Sequence, residues 1–568
     1  MSDANTRTWD HTVDLLIVGS GAGAMTAAIA ATDAGASALL IEKTDRYGGS
    51  SAMSGGGLWV PNNHLMKRTD IDDSPEEGLA YLRAITDGIV PEEKLRAYID
   101  TAPKALKFLI DNTHVDMEPL PEYGDYYPLA PGAKPGGRAL DPVKFDARFL
   151  RDDFLNLRDQ NPQMLIIGRI FMTIFEARTM LTRGPGWMLL VMKLMLKYIL
   201  DIPWRFRSKR DRSLAMGNAL VGMLRRSTLD RDIPLWLNTG AVELITDDER
   251  VVGVIAEKEG RRIRIRAEKG VILSAGGFEG NQEMRDKYLP NPARKEWSCA
   301  NPNNTGDAIR MGREIGASLD LMDGAWWGPV TVVPGEPHAR MLVIEKSLPG
   351  SVMVNQKGER YVNEAATYSY VVDAMYGKNT PETPCIPSYL VFDADYRAKY
   401  PCGPMLQASQ QPDWALPKAF RDGYLVKSDS IEGLAAKIGV DPVGLSRTIA
   451  KMNEYAKTGK DLEFQRGETA SEQYYGDAKV TPNPCLAAID KPPYYAIEAY
   501  PGELGTKGGL KTDVNARVLR EDGKVIPGLY AIGNCSASVM GHTYPGAGAT
   551  LGPATTFGYI AARHAVPA

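Results

Sequence analysis

Near its beginning the chain reads Val13-Asp14-Leu15-Leu16-Ile17-Val18-Gly19-Ser20-Gly21-Ala22-Gly23-Ala24. The apolar, β-branched run is typical of a buried strand in a parallel sheet, and the glycine-rich turn leads into an alanine-rich helix. Gly19 permits the turn, Gly21 lets the backbone approach a pyrophosphate, and Ala24 takes the third small position, where the helix packs on the strand. The pattern predicts an anionic dinucleotide at the N-terminus of this helix.

A second strand and a small-residue loop extend the pattern. The run Ala38–Ile41 ends in Glu42, about twenty residues beyond the turn, where a carboxylate accepts hydrogen bonds from a ribose. The glycines alone would also fit a turn without a ligand, but strand, helix and acid together favour dinucleotide binding. The loop from Arg46 to Gly57 resembles the flavin loop of the fumarate reductase and succinate dehydrogenase superfamily, which implies FAD as the cofactor.

The candidate FAD-binding residues lie in these turns, in strands predicted at 233–242, 270–278 and 528–534, and in two later loops. They are Gly19, Gly21, Ala22, Gly23, Ala24, Glu42, Lys43, Gly49, Ser50, Ser51, Ser54, Gly55, Gly56, Ala241, Val242, Ala275, Gly276, Gly277, Asn304, Asp307, Gly533, Asn534, Gly548 and Leu551. Residues 251–255 and 262–266 alternate like a hairpin. Because no histidine lies between Val13 and Gly57, we expect non-covalent FAD.

The length of 568 residues suggests more than one domain. We predict an α/β fold with a discontinuous, Rossmann-like FAD-binding domain. Its first part is 1–297, with a helical insertion at 164–212, and its second part is 494–568. An α+β catalytic domain at 298–493, which caps the site, separates the two parts.

The composition excludes several classes of protein. A net charge of -4 gives no overall case for nucleic-acid binding. The five cysteines are scattered and odd in number, which favours a reduced compartment. None of the six histidines has metal-site spacing, so no metal is expected. The polar N-terminus lacks the features of a signal peptide, so a cytoplasmic protein is predicted.

The insertion contains an unusually apolar segment, 187–202, which ends before Pro203. As a helix it presents one narrow polar stripe of Lys193, Lys197 and Asp201. Its length of about 24 Å is less than the roughly 30 Å of a bilayer core, so it does not comfortably span a membrane. Basic residues outnumber acidic ones by eight to two between 183 and 212, with the basic ones at Arg183, Lys193, Lys197, Arg205, Arg207, Lys209, Arg210 and Arg212. A peripheral anchor on an anionic leaflet is favoured, and a helix buried in a domain or subunit interface is the alternative.

The C-terminal region carries the most specific chemical pattern, the segment 541–554 with Tyr544-Pro545-Gly546-Ala547-Gly548 at its centre. A glycine loop beside a flavin can direct backbone N–H groups toward a substrate oxygen. The Tyr544 hydroxyl and the Gly548 amide are predicted to converge on one carbonyl. This arrangement would be an oxyanion hole.

This motif, the segment 502–509 and the segment Asn363–Tyr368 resemble the 3-ketosteroid Δ1-dehydrogenases. The resemblance covers nearly the whole chain except about 164–212. It implies that Tyr544 and Gly548 polarise the 3-keto group and that Tyr368 removes a proton from carbon 2 of the steroid A ring. It also implies that a tyrosine of the Asp-Tyr-Tyr-Pro loop assists Tyr368, and that flavin N5 receives hydride from carbon 1. We assign the assisting role to Tyr126.

Several alternatives stay open for these side chains. Tyr123 and Tyr127 compete with Tyr126 for the assisting role, and Tyr123 is a candidate substrate contact. Trp326 and Trp327 are predicted to line the steroid cleft, with domain packing as the equal alternative.

The chemistry of tyrosine supports a cooperating set. With an ordinary pKa near 10, tyrosine is a poor base unless its phenolate is stabilised. Burial raises that pKa, and a neighbouring hydroxyl donor opposes the shift. Each tyrosine taken singly also fits a half-buried core residue. Thr367 stands where many relatives have proline, which leaves Tyr368 less constrained.

Three other functions are alternatives. Fumarate reductases need cationic and histidine groups to clamp two carboxylates, and this chain has Tyr544 and an apolar cleft instead. A 3-ketosteroid Δ4-(5α)-dehydrogenase would act at carbons 4 and 5, but such enzymes lack the Tyr-Pro-Gly-x-Gly arrangement. A non-catalytic, membrane-docked flavin electron carrier is the third. The favoured interpretation is a steroid-degrading enzyme at the inner face of the cell membrane, with a quinone or another electron acceptor.

Overall fold

The computed structural model describes residues 8–181 and 184–567, and these form two units. The first comprises Met1–Met284, Asn301–Gly324 and Gly505–Ala568, apart from the residues not described, and the second comprises Arg285–Ala300 and Ala325–Leu504. The predicted catalytic domain, 298–493, differs from the second unit in two ways: the second unit extends to 285 and to 504, and 301–324 groups with the first unit. There, Asp307 accepts a hydrogen bond from Lys43, and Leu319–Asp320 pairs with Gly509–Leu510.

The described part of the chain contains both strands and helices. In chain order, the strands are β1 (His11–Val18), β2 (Ala38–Ile41), β3 (Leu58–Trp59), β4 (Met117–Pro119), β5 (Ala139–Pro142), β6 (Phe145–Asp146), β7 (Ser213–Leu214), β8 (Leu235–Trp236), β9 (Thr239–Asp247), β10 (Arg250–Lys258), β11 (Arg261–Leu273), β12 (Leu319–Asp320), β13 (Ala325–Thr331), β14 (Arg340–Met341), β15 (Ser351–Val354), β16 (Ser388–Phe392), β17 (Val426–Ser428), β18 (Tyr494–Thr506), β19 (Gly509–Leu510), β20 (Arg517–Leu519) and β21 (Val525–Ala531). The helices are α1 (Ala22–Asp33), α2 (Gly49–Met53), α3 (Pro75–Thr86), α4 (Glu92–Asn112), α5 (Ile174–Leu181), α6 (Trp187–Leu200), α7 (Ile202–Arg205), α8 (Met216–Leu229), α9 (Gln282–Tyr288), α10 (Asp307–Glu314), α11 (Tyr368–Gly377), α12 (Ala394–Lys399), α13 (Ile431–Ile438), α14 (Pro442–Thr458), α15 (Ala470–Tyr474) and α16 (Leu551–Ala565).

The first unit is built on a mixed sheet in the order β20-β21-β11-β1-β2-β8, with β10 and β9 continuing from β11. Strands β21, β11, β1, β2 and β8 are parallel neighbours. Their buried, apolar side chains are what a sheet covered on both faces requires, and Leu15, Leu16 and Ile17 of β1 are fully buried. Helix α1 packs against α16. The predicted α/β fold of an FAD-binding domain is thus confirmed.

Two predicted strand boundaries were wrong. The run 233–242 is not one strand, because β8 continues parallel to β2 and β9 turns back antiparallel to β10. Asn238 lies between them with φ of 49°, a left-handed conformation that ends a strand. The predicted hairpin of 251–255 with 262–266 is confirmed, but its second strand continues without a break through 270–273 as β11.

The second unit has a sheet in the order β14-β13-β18-β16-β15, with β17 pairing with β18. Helices α13 and α14 cover one part of it. Their apolar side chains share a core with the sheet, which includes Val352, Val391, Leu434, Leu445, Ile449 and Ala496. The unit is a mixture of helices and antiparallel strands.

The insertion forms α5, α6 and α7. Helix α6 ends at Leu200, two residues before the predicted end, since Pro203 has no N–H to continue it and is instead accommodated in the first turn of α7. Arg183, one of the predicted basic residues, lies outside the described residues. Across 8–181 and 184–567, no helix combines the length and the apolar character needed to cross a bilayer.

Candidate active site

The predicted nucleotide turn lies where β1 meets α1. Gly19 has φ of +113°, and a Cβ there would lie 2.3 Å from the Ser274 carbonyl oxygen, so only glycine fits this position. Gly21 is the N-cap residue of α1 and, having no side chain, offers no side-chain cap. Among the described residues, the N–H groups of Gly23 and Ala24 have no acceptor and are available to an anion, with the positive end of the helix dipole behind them, whereas the Ala22 N–H donates to Ser51 Oγ. Ala22, Gly23 and Ala24 form the buried first turn.

Glu42 follows β2 and is held in a fixed orientation. Its carboxylate accepts hydrogen bonds from Ser20 Oγ at 2.5 Å and from the backbone N–H and the hydroxyl of Thr44, both at 3.0 Å. Ser20 Oγ in turn accepts from the Gly48 amide at 3.0 Å. The acid, the glycine turn and the flavin loop are thus joined by one hydroxyl group.

Several of the remaining candidate cofactor residues lie in segments that follow parallel strands. Ala275, Gly276 and Gly277 follow β11, Gly533 and Asn534 follow β21, and Leu551 begins α16. Ala241 and Val242 lie on β9. Gly49, Ser50 and Ser51 belong to α2, whose Ser51 Oγ accepts from the Ala22 amide at 3.1 Å, and Ser54, Gly55 and Gly56 follow α2.

Lys43, Asn304 and Asp307 contact other protein groups. Lys43 Nζ donates to Asp307 Oδ2 at 2.5 Å. Burial by itself raises the pKa of Asp307, but the hydrogen bond and charge of Lys43 lower it below its usual value. Asn304 Nδ2 donates to Ser50 Oγ at 3.0 Å and to Glu279 Oε1 at 2.6 Å. These contacts fix the loop 301–307 beside α2.

The residues present fit FAD. Carboxyl ends of neighbouring parallel strands form the crevice in which open α/β sheets bind dinucleotides. Here β11 is followed by Ala275 and Gly276, which are partly exposed, although the end of the strand itself is buried. Val242 is 38% exposed although it is apolar, and a Cβ on Gly49 would meet nothing within 4 Å. An uncapped helix start, a fixed carboxylate and open space above small residues are the features that a dinucleotide requires.

The predicted tyrosines of the first unit come together in the structure. The hydroxyls of Tyr123 and Tyr126 lie 3.2 Å apart, and the rings of Tyr126 and Tyr544 have centroids 5.4 Å apart. The Tyr126 amide donates to the Pro545 carbonyl at 2.9 Å. Two loops more than 400 residues apart in the chain are therefore joined next to both tyrosines.

Tyr81, on α3, links the same two loops and was not identified from the sequence. Its hydroxyl donates to the Pro545 carbonyl at 2.7 Å and accepts from the Tyr127 amide at 3.2 Å. Burial raises the pKa of Tyr81 well above its usual value, so the phenol keeps the proton that it donates. Its position in an amphipathic helix gives no sequence signal beyond that of a core residue.

A buried ionic cluster lies behind the tyrosine loop. Arg138 forms a bidentate pair with Asp73, at 2.6 and 2.8 Å, and donates to Asp125 Oδ2 at 2.7 Å. All three side chains are almost completely buried. Asp125, which precedes Tyr126, also accepts from Trp59 Nε1 at 2.8 Å. The guanidinium thus fixes the start of the loop that bears Tyr126.

Gly548 needs to be glycine, since its φ is +93° and a Cβ would lie 2.5 Å from the Leu58 carbonyl carbon. Among the described residues, no acceptor takes the amide hydrogen of Gly548. Lys507, which is buried, donates to the Thr543 carbonyl at 2.5 Å and holds the residue before Tyr544. The segment 543–548 is therefore fixed at both ends, and the Gly548 N–H group is available to a ligand.

The second unit carries the other predicted site residues. Tyr368 is the first residue of α11 and is buried. Trp326 and Trp327 lie on β13 and are buried too, and the Trp327 ring packs edge-on against Tyr376 with centroids 5.3 Å apart. In the described part of the chain, no group of histidine, cysteine or acidic residues has the arrangement of a metal site.

Comparison with known proteins agrees with these features. A family model for an FAD binding domain matches residues 14–551, so the predicted cofactor, FAD, is confirmed. The 3-oxosteroid 1-dehydrogenase of Mycobacterium tuberculosis is 41% identical over 561 residues, covering 97% of this chain and 98% of its own length. The 4-oxocyclohexanecarboxylate 2-dehydrogenase of Sinomonas cyclohexanicum is 35% identical over 570 residues, covering 97% and 92%.

A solved structure resembles the chain over nearly its whole length. It is the 3-ketosteroid delta1-dehydrogenase from Sterolibacterium denitrificans in complex with 1,4-androstadiene-3,17-dione. The identity is 48%, the TM-score is 0.95, and the match covers 98% of this chain and 99% of that one. With the FAD-binding turn, the joined tyrosine loops and full-length relatives in agreement, the chain belongs to the 3-ketosteroid Δ1-dehydrogenases, a family of FAD-dependent oxidoreductases.

Proposed function

We propose that this protein introduces a carbon 1 to carbon 2 double bond into the A ring of a 3-ketosteroid. The observation that carries the proposal is the joined pair of loops, in which Tyr544, Tyr126 and the available amide of Gly548 are held together. When bound, FAD supplies an acceptor at N5 for the hydride from carbon 1. The residues of the chain supply carbonyl polarisation and proton removal.

The Tyr544 hydroxyl and the Gly548 amide bind the 3-keto oxygen and stabilise the negative charge that develops on it. This stabilisation makes the protons on carbon 2 more acidic, and Tyr368 removes one of them as general base. Tyr126 assists that base, and its hydroxyl is oriented by Tyr123 at 3.2 Å. Trp326 and Trp327 offer apolar surface for the steroid, with Tyr123 as a further contact.

The test is anaerobic flavin reduction in the wild type and in Tyr368→Phe. A 3-keto-4-ene steroid should bleach the flavin of the wild type, and the rate should fall by about 10² to 10⁴ in the variant, the usual contribution of a general base. 4-Oxocyclohexanecarboxylate is the comparison substrate, chosen because a relative is named for it. Bleaching by that small acid but not by the steroid would refute the steroid assignment, and an unchanged rate in Tyr368→Phe would refute the assignment of the base.

We further propose that helix α6 attaches the enzyme to the inner, cytoplasmic face of the cell membrane, where a quinone takes up the electrons. Its apolar side chains face solvent: Met188, Leu189 and Leu200 are 68%, 64% and 67% exposed. Burying such a surface in the bilayer interface is favourable by about 25 cal/mol per Å². A lipid-soluble substrate and a quinone acceptor would both be available there.

The charges contribute less to this proposal than the apolar face does. Arg212 pairs with Asp201, and Arg210 pairs with Asp159. Lys193 is exposed. Attraction to anionic lipid is thus expected to be secondary to apolar contact.

Sedimentation with phosphatidylglycerol vesicles tests the anchor. Replacing Leu189, Leu196 and Leu200 by serine should release the protein from vesicles and leave flavin reduction unchanged. Leu462→Ser, which alters a leucine 80% exposed in the second unit, is the matched control and should still sediment. If the triple variant sediments like the wild type, α6 is not the anchor, and a change of its oligomeric state instead would indicate a subunit interface.

A further inference from the structure

Lys346 is a buried lysine beside the turn that leads into Tyr368. Its side chain is almost completely buried, and Nζ donates hydrogen bonds to the Glu364 carbonyl at 2.9 Å and to the Ala366 carbonyl at 2.6 Å. Tyr368, the first residue of α11, follows two positions after Ala366. Both acceptors thus belong to the short turn, residues 363–367, that directs the chain into this helix.

Several other groups of this turn already have hydrogen-bond partners. The Glu364 carboxylate forms a bidentate pair with Arg360, at 2.8 and 2.7 Å, and contacts Arg466 at 3.3 Å. The Asn363 side chain accepts from the Ala365 amide at 3.0 Å. The Glu364 and Ala366 carbonyls, both bound by Lys346, are therefore additional points at which the turn is held.

A buried ammonium is a costly way to satisfy two carbonyls. Burial, with a further contribution from the charge of Arg466, lowers the pKa of Lys346 to about 7, although Glu472 and Glu364 oppose the shift. An apolar side chain would pack here without this desolvation penalty. The ammonium group differs from it in that it holds the turn in place through two hydrogen bonds.

The first turn of α11 has no side-chain cap. Thr367 is the N-cap residue, with φ of -54° and ψ of 145°, and its side chain makes no capping hydrogen bond. Its φ lies in the range to which a proline ring would confine it. Lys346 therefore limits the backbone conformation of this turn through hydrogen bonds. A proline at 367 would limit it through its ring.

We infer that Lys346 is a positioning residue for the reaction, which holds the turn 363–367 and so sets the orientation of the Tyr368 hydroxyl. This inference rests on the proposed function, in which Tyr368 removes the carbon 2 proton. A displacement of about 1 Å at a reacting group can cost on the order of 10²-fold in rate. The loss of the two hydrogen bonds would permit a displacement of that size.

The test uses the FAD-loaded full-length protein and the variants Lys346→Met, Thr367→Pro and their combination. The rate of anaerobic flavin reduction by a steroid is measured with hydrogen and with deuterium at carbon 2. Lys346→Met should lower the rate by about 10- to 100-fold, enlarge the isotope effect and leave the steroid Kd within about twofold. Thr367→Pro alone should change the rate little, since no described residue accepts a hydrogen bond from the Thr367 amide.

The combined variant gives the decisive result. If Lys346 acts by restricting the turn, the combined variant should reduce its flavin at least tenfold faster than Lys346→Met does. If Lys346→Met reduces its flavin at the wild-type rate, or if proline restores nothing in a variant with full FAD content and wild-type Tm, the inference is overturned. Should Lys346→Met fail to bind FAD, Lys346→Leu, which is also apolar and has no N–H donor, replaces it in the same comparison.

Tyr368→Phe separates this inference from the proposed function. Loss of reduction in Tyr368→Phe together with a normal rate in Lys346→Met refutes only the positioning role. A normal rate in Tyr368→Phe refutes the base assignment itself, and with it the inference.

Discussion

Arg138 in the first unit and Lys346 in the second are both buried cations behind a turn that bears a predicted catalytic tyrosine. Arg138 faces two buried carboxylates, Asp73 and Asp125, whereas Lys346 donates to main-chain carbonyls. The carboxylates raise the pKa of Arg138 above its usual value although burial by itself lowers it. The pKa of Lys346 falls to about 7.

The difference shows that a fold can hold a loop with a buried cation whose desolvation is either compensated by carboxylates or left largely uncompensated. The guanidinium cluster stabilises both itself and its loop, because opposite charges compensate for desolvation and the fork geometry satisfies the donors. The desolvation of the Lys346 ammonium is only partly compensated. We therefore expect the Tyr126 loop to depend on intact charge pairing and the turn before Tyr368 to respond to pH.

The largest expected effect is that of Arg138→Met. Removing the guanidinium leaves Asp73 and Asp125 buried without a cation, which costs about 3–5 kcal/mol. The thermal midpoint of the FAD-loaded protein, followed by calorimetry, should fall by several degrees. Arg148→Met, which breaks an exposed pair with Asp146, is the control and should change it little. Equal effects of the two substitutions would contradict the compensating role of the cluster.

Asp125→Asn should have the next largest effect. The amide oxygen can still accept from Trp59 Nε1, but one of the two charged partners of Arg138 is lost, at a cost of about 1–3 kcal/mol. Because Asp125 precedes Tyr126, flavin reduction should slow as well as the thermal midpoint decrease. A lower midpoint with an unchanged reduction rate would mean that the cluster stabilises the unit without orienting Tyr126.

Tyr81→Phe should act mainly on the rate. It removes one phenol that joins the 126–127 segment to Pro545, and an about tenfold slower flavin reduction is expected, equivalent to about 1.4 kcal/mol. Tyr400→Phe provides a matched loss of a buried phenol, since Tyr400 donates to Asp477 at 2.7 Å in the second unit. If both variants slow reduction equally, Tyr81 has no special part in holding the two loops.

The smallest effect is the pH dependence conferred by Lys346. Its pKa is about 7 in the folded protein and its usual value is 10.5. Between these values the unfolded state binds a proton that the folded state lacks. The destabilisation caused by this group is therefore complete below pH 7 and decreases as the pH rises above 7. The wild type should therefore gain stability relative to Lys346→Met between pH 7 and 8.5, by on the order of 1 kcal/mol.

Parallel thermal scans of the two proteins measure this difference, because the pH dependence of the other groups cancels between them. Curves that stay parallel from pH 7 to 8.5 would contradict a desolvated ammonium at this position. A wild type that loses stability relative to the variant as pH rises would contradict the sign of the shift.

Much of the site could be predicted because its signals are local. The turn at Gly19, the acid at Glu42 and the helix that follows depend on residues near one another in the chain, so spacing alone reveals them. The tyrosine motif at 544–548 could be found because it is a short, contiguous pattern that resembles the 3-ketosteroid Δ1-dehydrogenases. Arg138, Tyr81 and Lys346 gave no such signal, since a buried arginine, tyrosine or lysine has no distinctive spacing and its role depends on partners far along the chain.

The sequence by itself determined the parallel α/β framework and the flavin turn, because strand and helix periodicity and glycine geometry are properties of short segments. The candidate tyrosines followed from the resemblance of their motifs to the 3-ketosteroid Δ1-dehydrogenases. Only the tertiary structure decided that 301–324 belongs with the first unit, that the apolar face of α6 is exposed, and that Tyr126 meets Tyr544. The physical reason is that these features arise from contacts between distant segments, and the free energy of such contacts depends on burial and charge in the folded state.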